Sequence, residues 1–492
     1  MAELYKSFIK DHFIVIFGHI LIYAQGLILM PVIIKTVGVT VYGGYILIIS
    51  IVGFLFGISS FGIGFKNRRF LPAAVDMQSR RTLYYPQLIF QIASIAVLSF
   101  FLLVISPLIK DYFLKGIELS IILVIIFLFT TVIHSQATDY FRYTGRIGYF
   151  NFGTTVLPYA HIGTILSFIY LFHYITVNLL IISQIFCMVL ITIPLMIKMF
   201  SELGFKMVKP KINELRGDIR LGFPLYLVYI ADFILTASDR YLIAFYLSVT
   251  HVGYYAPGYA LGSLIVFIPK AMGTVLPQLM CRAADNDNKF EAHRMMDYAI
   301  KIYLLLAIPF IIGCIALGKP ILTILANQDV AEKAFWIAPI VALGTLFLGL
   351  NIILSNVLYV RLKTNTLFKV SAFAALFNLL ANSILLYLFR NIIIAAITTL
   401  LSYMIAFIYL LINVKKEKWG IDFGAVAIVK CLFASLVMGL LLLGITLKFD
   451  RPETVSLLVA KIALGIFVYV TAVFSFKTFS SKEISYMKGI FQ

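Results

Sequence analysis

Charge is scarce in this chain. Only 13% of its 492 residues are charged, against roughly a quarter in a soluble domain, while 62% are hydrophobic. A water-bathed globular fold is therefore excluded as the main architecture. Acidic residues are scarcer than basic ones, 22 against 40, which leaves a net charge of +18. Cysteine is also rare. Cys187, Cys281, Cys314 and Cys431 are scattered, with no CxxC pair, so neither a disulfide framework nor a thiolate metal site is expected. There is no phosphate loop, no H-E-x-x-H and no G-x-S-x-G, and the seven histidines do not cluster at ligand spacing. No metal, no cofactor and no catalytic residue is assigned, and an ATP-driven pump is not expected unless another chain supplies the ATPase. The start, Met1 to Asp11, is polar and mildly basic, without a cleavable signal pattern.

What is abundant is long apolar runs. They read as spans at 12–35, 42–65, 84–108, 118–140, 148–172, 177–199, 223–247, 252–278, 297–318, 334–360, 367–389, 391–413, 424–447 and 455–475. The expected fold class is an all-α polytopic membrane protein of about fourteen transmembrane helices. The basic residues fall between the spans and not on a soluble face, so nucleic acid is not expected as a partner. Numbering the loops alternately puts 26 Lys and Arg on the side of the termini and 8 on the other. By the positive-inside rule both termini are cytoplasmic, and the basic loops face membrane lipids of the inner leaflet.

An internal repeat divides the chain. Val39-Thr40-Val41-Tyr42-Gly43-Gly44-Tyr45 and Val249-Thr250-His251-Val252-Gly253-Tyr254-Tyr255 lie 210 residues apart and share Val, Thr, Gly and the final Tyr. Both copies fall between the first two spans of their half. The expected domains are a six-helix lobe at 1–200, a basic cytoplasmic linker at 201–222, a second six-helix lobe at 223–413, and two further helices with a tail at 414–492. Because six is even, the repeats share one orientation, related by an axis along the membrane normal.

Ionisable groups within spans cost about 2.5–3.5 kcal/mol each and point to sites. Tyr229, Asp232, Thr236 and Asp239 are spaced 3, 4 and 3 along the seventh span, with Arg240 adjacent. They form one helical stripe, which faces either protein or a water-filled cavity. Asp239 and Arg240 stand next to each other and can offset part of each other's cost. In the eighth span Tyr255, Tyr259 and Ser263 share a face, followed by Pro269, a kink candidate, and Lys270. Lys270 reads either as a cavity cation or as a snorkelling end residue. The first span offers His19, Tyr23, Gln25 and Gly26.

Several of these segments together resemble the oligosaccharide-lipid flippases, of the O-antigen and polysaccharide type, within the multidrug/oligosaccharide-lipid/polysaccharide exporter superfamily. Ser238-Asp239-Arg240-Tyr241 followed by Val252-Gly253-Tyr254-Tyr255 looks like that family's passage from the seventh to the eighth span. Phe141-Arg142-Tyr143-Thr144-Gly145-Arg146 is similar to its basic turn after the fourth span, and Asn378 and Asn382 to its paired asparagines in the eleventh.

The resemblance implies a two-lobed bundle with a central cavity in a bacterial inner membrane. The bundle would move an undecaprenyl-diphosphate-linked oligosaccharide to the periplasmic leaflet for lipopolysaccharide or another surface polysaccharide, by alternating access. It implies a polysaccharide polymerase and chain-length proteins as partners. A diphosphate needs shielded cations. Arg240 and Lys270 are candidates, with Lys66 and Arg69 near the cytoplasmic mouth. Tyr229, Tyr255 and Tyr259 could stack on sugars. Asp232 and Asp239 suit an anion poorly and read as sugar, cation or side-chain partners. The rival readings are a multidrug exporter of the same superfamily, a peptidoglycan-precursor flippase, and a membrane-embedded polymerase or ligase.

Overall fold

A helix satisfies its own backbone hydrogen bonds, which is why apolar runs of this length can persist in hydrocarbon. The computed structural model describes residues 21, 24–74, 76–172, 175–285, 289–361, 363–417, 420–448, 454–476 and 478, and is helical throughout with no strand among them. In chain order the helices are α1 (Ala24–Val37), α2 (Val39–Ser59), α3 (Gly64–Phe70), α4 (Met77–Tyr112), α5 (Ile121–Tyr143), α6 (Ile147–Asn151), α7 (Leu157–Phe172), α8 (Val177–Leu203) and α9 (Ile212–Tyr246). They continue as α10 (Val249–Ser263), α11 (Phe267–Asp285), α12 (Lys289–Leu325), α13 (Gln328–Ala334), α14 (Ile337–Val360), α15 (Thr364–Phe389), α16 (Ile392–Lys416), α17 (Ala425–Lys448) and α18 (Val455–Ser475). A π-helical turn, Phe152–Val156, joins α6 to α7.

Among the described residues, twelve helices are long and apolar enough to cross a membrane. The pair Ile212–Pro224 and Tyr226–Tyr246, bent by 44°, would make a thirteenth. The first expected span is represented by the shorter Ala24–Val37. His19 and Tyr23, singled out in that span, lie outside the described residues. The count of fourteen therefore stands as an expectation, whereas the polytopic helical architecture is observed.

The long loop expected at 200–222 is shorter in the structure, because α9 begins at Ile212. Leu215, Asp218, Ile219 and Gly222 turn inward at helical spacing while Arg216, Gly217 and Arg220 are exposed. That amphipathic turn extends the helix ahead of the apolar run, and Pro224, which lacks an N–H, accompanies the bend.

The chain divides into two compact units, 1–256 and 257–492. In the first, α4 has 36 residues, or ~54 Å at 1.5 Å per residue, well beyond the ~30 Å hydrocarbon core. Asp76 caps it, accepting the Ser79 N–H at 2.7 Å and the Ser79 hydroxyl at 2.6 Å. Those bonds hold its carboxyl below the usual carboxylate range. The Arg81 guanidinium and the Tyr85 hydroxyl bond the last carbonyls of α8, at Leu203 and Gly204, as suits donors at a helix C-terminus.

Lipid tails are as apolar as leucine, so hydrophobicity alone does not hold these helices to one another. Packing and interhelical hydrogen bonds do. Tyr84 stands edge-on to Tyr140 at 5.4 Å in a core of α4, α5 and α8 side chains. Ser59, Gln91 and Gln136 form a buried relay across α2, α4 and α5, with Gln91 donating to Ser59 at 3.1 Å. His134 bonds Thr192 at 2.8 Å, His161 bonds Ser183 at 2.9 Å, and Tyr45 donates to Gln184 at 2.6 Å.

In the second unit Tyr303 donates to the Thr345 carbonyl at 2.8 Å and Asn378 to Thr399 at 3.2 Å. The two last helices are docked on α12: Met438 and Leu442 pack on Ala316 and Leu317, and Tyr469 donates to the Leu305 carbonyl at 2.6 Å. Large side chains such as Phe100, Val426, Leu440 and Phe467 stay 65–70% exposed, as lipid-facing residues do.

Candidate functional site

The candidate residues on α2, α3, α9 and the start of α10 all fall within the first unit, so their relations can be described directly. The two copies of the internal repeat open two helices. Val39 begins α2 after Gly38, whose φ of 97° breaks the preceding helix, and Val249 begins α10. The copies meet each other at equivalent positions. Thr40 Oγ1 and Thr250 Oγ1 are 2.9 Å apart. A Cβ on Gly43 would strike the Val249 carbonyl, and a Cβ on Gly253 would strike the Val39 carbonyl. These contacts are reciprocal, so a local two-fold relates 39–43 to 249–253. Small residues at this crossing let the two backbones approach closely.

The other end of α2 is closed as well. Gly62, at φ 78°, and Gly222 of α9 are in reciprocal backbone contact. Phe61 stacks on Tyr226 at 5.5 Å, and Phe54 lies 5.0 Å from Phe233. The Tyr229 hydroxyl donates to the Gly53 carbonyl at 3.1 Å, with its ring against Gly57. Beyond this seam, Lys66 Nζ of α3 binds Asp218 Oδ2 of α9 at 2.8 Å, both side chains being less than a quarter exposed.

Between the two closures α9 carries the polar stripe. Asp232 is exposed, Thr236 is half-buried, and Asp239 is 1% exposed. Arg240 is half-buried and donates through Nη1 to the Thr236 carbonyl at 3.1 Å. The Tyr255 hydroxyl donates to Asp239 Oδ2 at 2.6 Å, with Tyr255 itself fully buried. The structure thus brings Asp239 and Tyr255 together, Lys66 and Asp218 together, and Tyr229 onto α2. Arg69 is exposed at the end of α3, its guanidinium 5.8 Å from the Phe70 ring.

Tyr259 and Lys270 belong to the second unit. Tyr259 is 9% exposed, whereas Lys270 is exposed near the start of α11. The break expected at Pro269 lies slightly earlier, in a 3-10 turn at Leu264–Val266. Pro269 itself occupies the first turn of α11, where its missing N–H leaves no intrahelical bond unmade. Asn378 and Asn382 are both fully buried on α15.

Sequence reading missed Asp218, which was placed in a linker. The amphipathic spacing of Leu215, Ile219 and Gly222 was the signal available for it. It also passed over Gln91 and Gln136, whose lone positions within apolar runs were the only clue. Among the described residues no group of His, Cys, Asp or Glu could hold a metal ion.

Comparison with known proteins bears on this arrangement. A family model described as polysaccharide biosynthesis protein matches residues 8–280, and one described as MatE matches residues 224–384. No curated protein matches the chain. Among solved structures, the lipid II flippase MurJ in an inward closed conformation aligns with a TM-score of 0.73 at 17% identity, covering 95% of this chain and 99% of that one. An inward-facing multidrug resistance MATE family transporter of the MOP superfamily aligns with a TM-score of 0.63 at 13% identity, covering 80% and 95%. A MOP superfamily transporter from Pyrococcus furiosus aligns with a TM-score of 0.56 at 14% identity, covering 84% and 96%. At these identities the likeness is one of fold, and the fold is that of flippases and transporters.

Proposed function

The chain belongs to the polysaccharide biosynthesis protein family, and from that premise we propose that it is a flippase and not an enzyme. Its cargo is an undecaprenyl-diphosphate-linked oligosaccharide, of the O-antigen or a related surface polysaccharide, carried from the cytoplasmic to the periplasmic leaflet of a bacterial inner membrane. The observation that carries this reading is the family match over 8–280, a stretch that contains both closures of α2 and the polar stripe between them. Both termini are cytoplasmic, a polymerase and chain-length proteins act downstream, and the segments 1–200 and 223–413 serve as the two moving lobes.

In this mechanism α2 parts from α10 at one end, or from α9 at the other, but not from both at once. Each opening exposes Asp232, Thr236 and Arg240 to one side of the membrane. The Arg240 guanidinium offers the diphosphate a shielded cation. Lys66, released from Asp218, and the exposed Arg69 attract the headgroup at the entrance. Tyr229 offers an aromatic face to a sugar.

The test is transport of a short-chain lipid-linked oligosaccharide in proteoliposomes, read as protection from, or access to, an external glycosidase. Transfer above protein-free vesicles, lost in Arg240→Ala, supports the reading. Equal transfer with and without the protein overturns it. The MatE match over 224–384 favours a second reading, a multidrug exporter. The alignments bear on the choice. The MATE transporter leaves a fifth of this chain uncovered, while MurJ leaves a twentieth, less than α17 and α18 occupy. Cation export without glycan transfer in the same vesicles would decide for the second reading.

A further inference from the structure

A second polar constellation lies far from the stripe in sequence, wholly within the unit 257–492. Arg294, Asp297, Tyr298 and Lys301 follow one another at spacings of 3, 1 and 3, so they share one face of the first turns of α12. Opposite them is the loop that leads into α17. Together with Asp422 and Gly424 of that loop they line a cavity of about 220 Å³.

The cavity wall is organised before any ligand arrives. The Asp422 N–H donates to Asp297 Oδ1 at 3.1 Å, and the Gly424 N–H donates to Asp422 Oδ1 at 2.8 Å. Gly424 holds a φ of 64°, which a side chain would resist, and the Lys301 stem passes within 4.0 Å of where its Cβ would be. Arg294 lies over the Tyr298 ring at 5.4 Å and donates through Nη2 to its hydroxyl at 3.2 Å. Two cations and two carboxylates thus face a single small space. That balance stands out in a chain whose overall charge is +18.

The cavity sits where two helices long and apolar enough to cross a membrane begin, and the end of a span is where lipid headgroups lie. From its edge an apolar stripe runs down α17: Val426, Val429 and Phe433 are 69%, 51% and 59% exposed at spacings of 3 and 4. A headgroup held in the cavity would lay its acyl chains along that stripe.

We propose that this cavity is a specific site for the headgroup of a zwitterionic phospholipid bearing a primary ammonium, with the phosphate on Arg294 and Lys301 and the ammonium on Asp297 and Asp422. A purely anionic headgroup would bring its phosphate against two carboxylates with nothing to answer them. A choline headgroup has no N–H to donate to those carboxylates, whereas an ethanolamine has three.

The experiment is native mass spectrometry of the full chain in detergent, with phosphatidylethanolamine, phosphatidylcholine and phosphatidylglycerol of identical acyl chains. Retention of the ethanolamine lipid should exceed that of the glycerol lipid at least tenfold, with the choline lipid between them. Asp297→Asn together with Asp422→Asn should erase the preference for ethanolamine over glycerol, and Lys301→Gln should lower retention of all three. Soluble glycerophosphoethanolamine should displace the lipid. If inorganic phosphate displaces it equally well, the cavity is a plain anion site and the proposal falls. Equal retention of the three lipids by the unaltered protein overturns it without any variant having to fold.

Discussion

Thr40 and Thr250, 210 residues apart in the chain and at the same position of the internal repeat, are joined by a hydrogen bond of 2.9 Å. Each also marks the first turn of a membrane-crossing helix, so the bond ties two spans at one end. Replacing both with cysteine should give a pair that cross-links under mild oxidation. Cys281 is replaced by serine beforehand, and Cys187, Cys314 and Cys431 are buried and should not compete. Cross-linking should abolish glycan export, and a reductant should restore it. Full export by a quantitatively cross-linked protein would refute opening at this crossing.

Gly43 and Gly253 allow that crossing. A methyl at either position meets a backbone carbonyl of the other helix, which cannot move aside as a flexible side chain would. Gly43→Ala and Gly253→Ala should each destabilise the structure by about 1–3 kcal/mol, the usual cost of overpacking. The double variant should cost less than the sum, since one displacement of α10 relieves both clashes. Unfolding midpoints in detergent measure this. Additive effects would show that the two contacts are independent.

Tyr255 supplies a hydroxyl to the buried carboxylate of Asp239 at 2.6 Å. Tyr255→Phe deletes that donor and keeps the ring, so the expected loss is about 1.5–3 kcal/mol, the worth of a hydrogen bond to a charged group. Asp239→Asn retains an acceptor and should cost less. A Tyr255→Phe protein as stable as its parent would show that the bond contributes nothing net.

Arg240 lies on the polar stripe between the closures, and it anchors one guanidinium nitrogen on the Thr236 carbonyl. Arg240→Ala should abolish export at normal protein levels. Arg240→Lys should keep part of it, because a phosphate partner needs charge more than it needs the guanidinium fork. Immunoblotting beside a complementation assay separates lost transport from lost protein. Normal export by Arg240→Ala would remove Arg240 from the transport pathway.

The Lys66–Asp218 pair combines a fold contact with a transport role. As an ion pair with both partners less than a quarter exposed, it should show a coupling energy of about 1 kcal/mol in a double-mutant cycle of stability. If Lys66 also receives the headgroup, Asp218→Asn should leave export intact or raise it, while Lys66→Gln should lower it in either background. Loss of export in Asp218→Asn equal to that in Lys66→Gln would assign the pair to structure alone.

Among the described residues, twelve of the expected spans are found as helices long enough to cross a membrane, and a bent pair would supply a thirteenth, because their signal is local. A run of about twenty apolar residues has no other stable form in hydrocarbon, whatever its neighbours do. The repeat at 39–45 and 249–255 was legible for a related reason, since both copies begin a helix. The stripe from Tyr229 to Asp239 could be read from spacing alone. Its gradient, from an exposed Asp232 to a buried Asp239, could not, because it depends on how closely α2 and α10 approach α9.

The sequence by itself determined that this protein crosses a membrane many times, that its charge lies asymmetrically in its loops, and which helices carry polar groups. These properties follow from composition and period, which act over a few turns of one helix. Only the tertiary structure decided who meets whom. Lys66 was legible as a cation but not as the partner of Asp218, 152 residues away. Tyr255 was legible as a ring but not as the donor to Asp239. Gly43 and Gly253 were legible as a repeat but not as the place where its two copies touch. In lipid the apolar faces carry little information about which helix packs on which. Pairing is chosen by close backbone approach and by a few hydrogen bonds between distant residues, and these arise only once the helices are assembled.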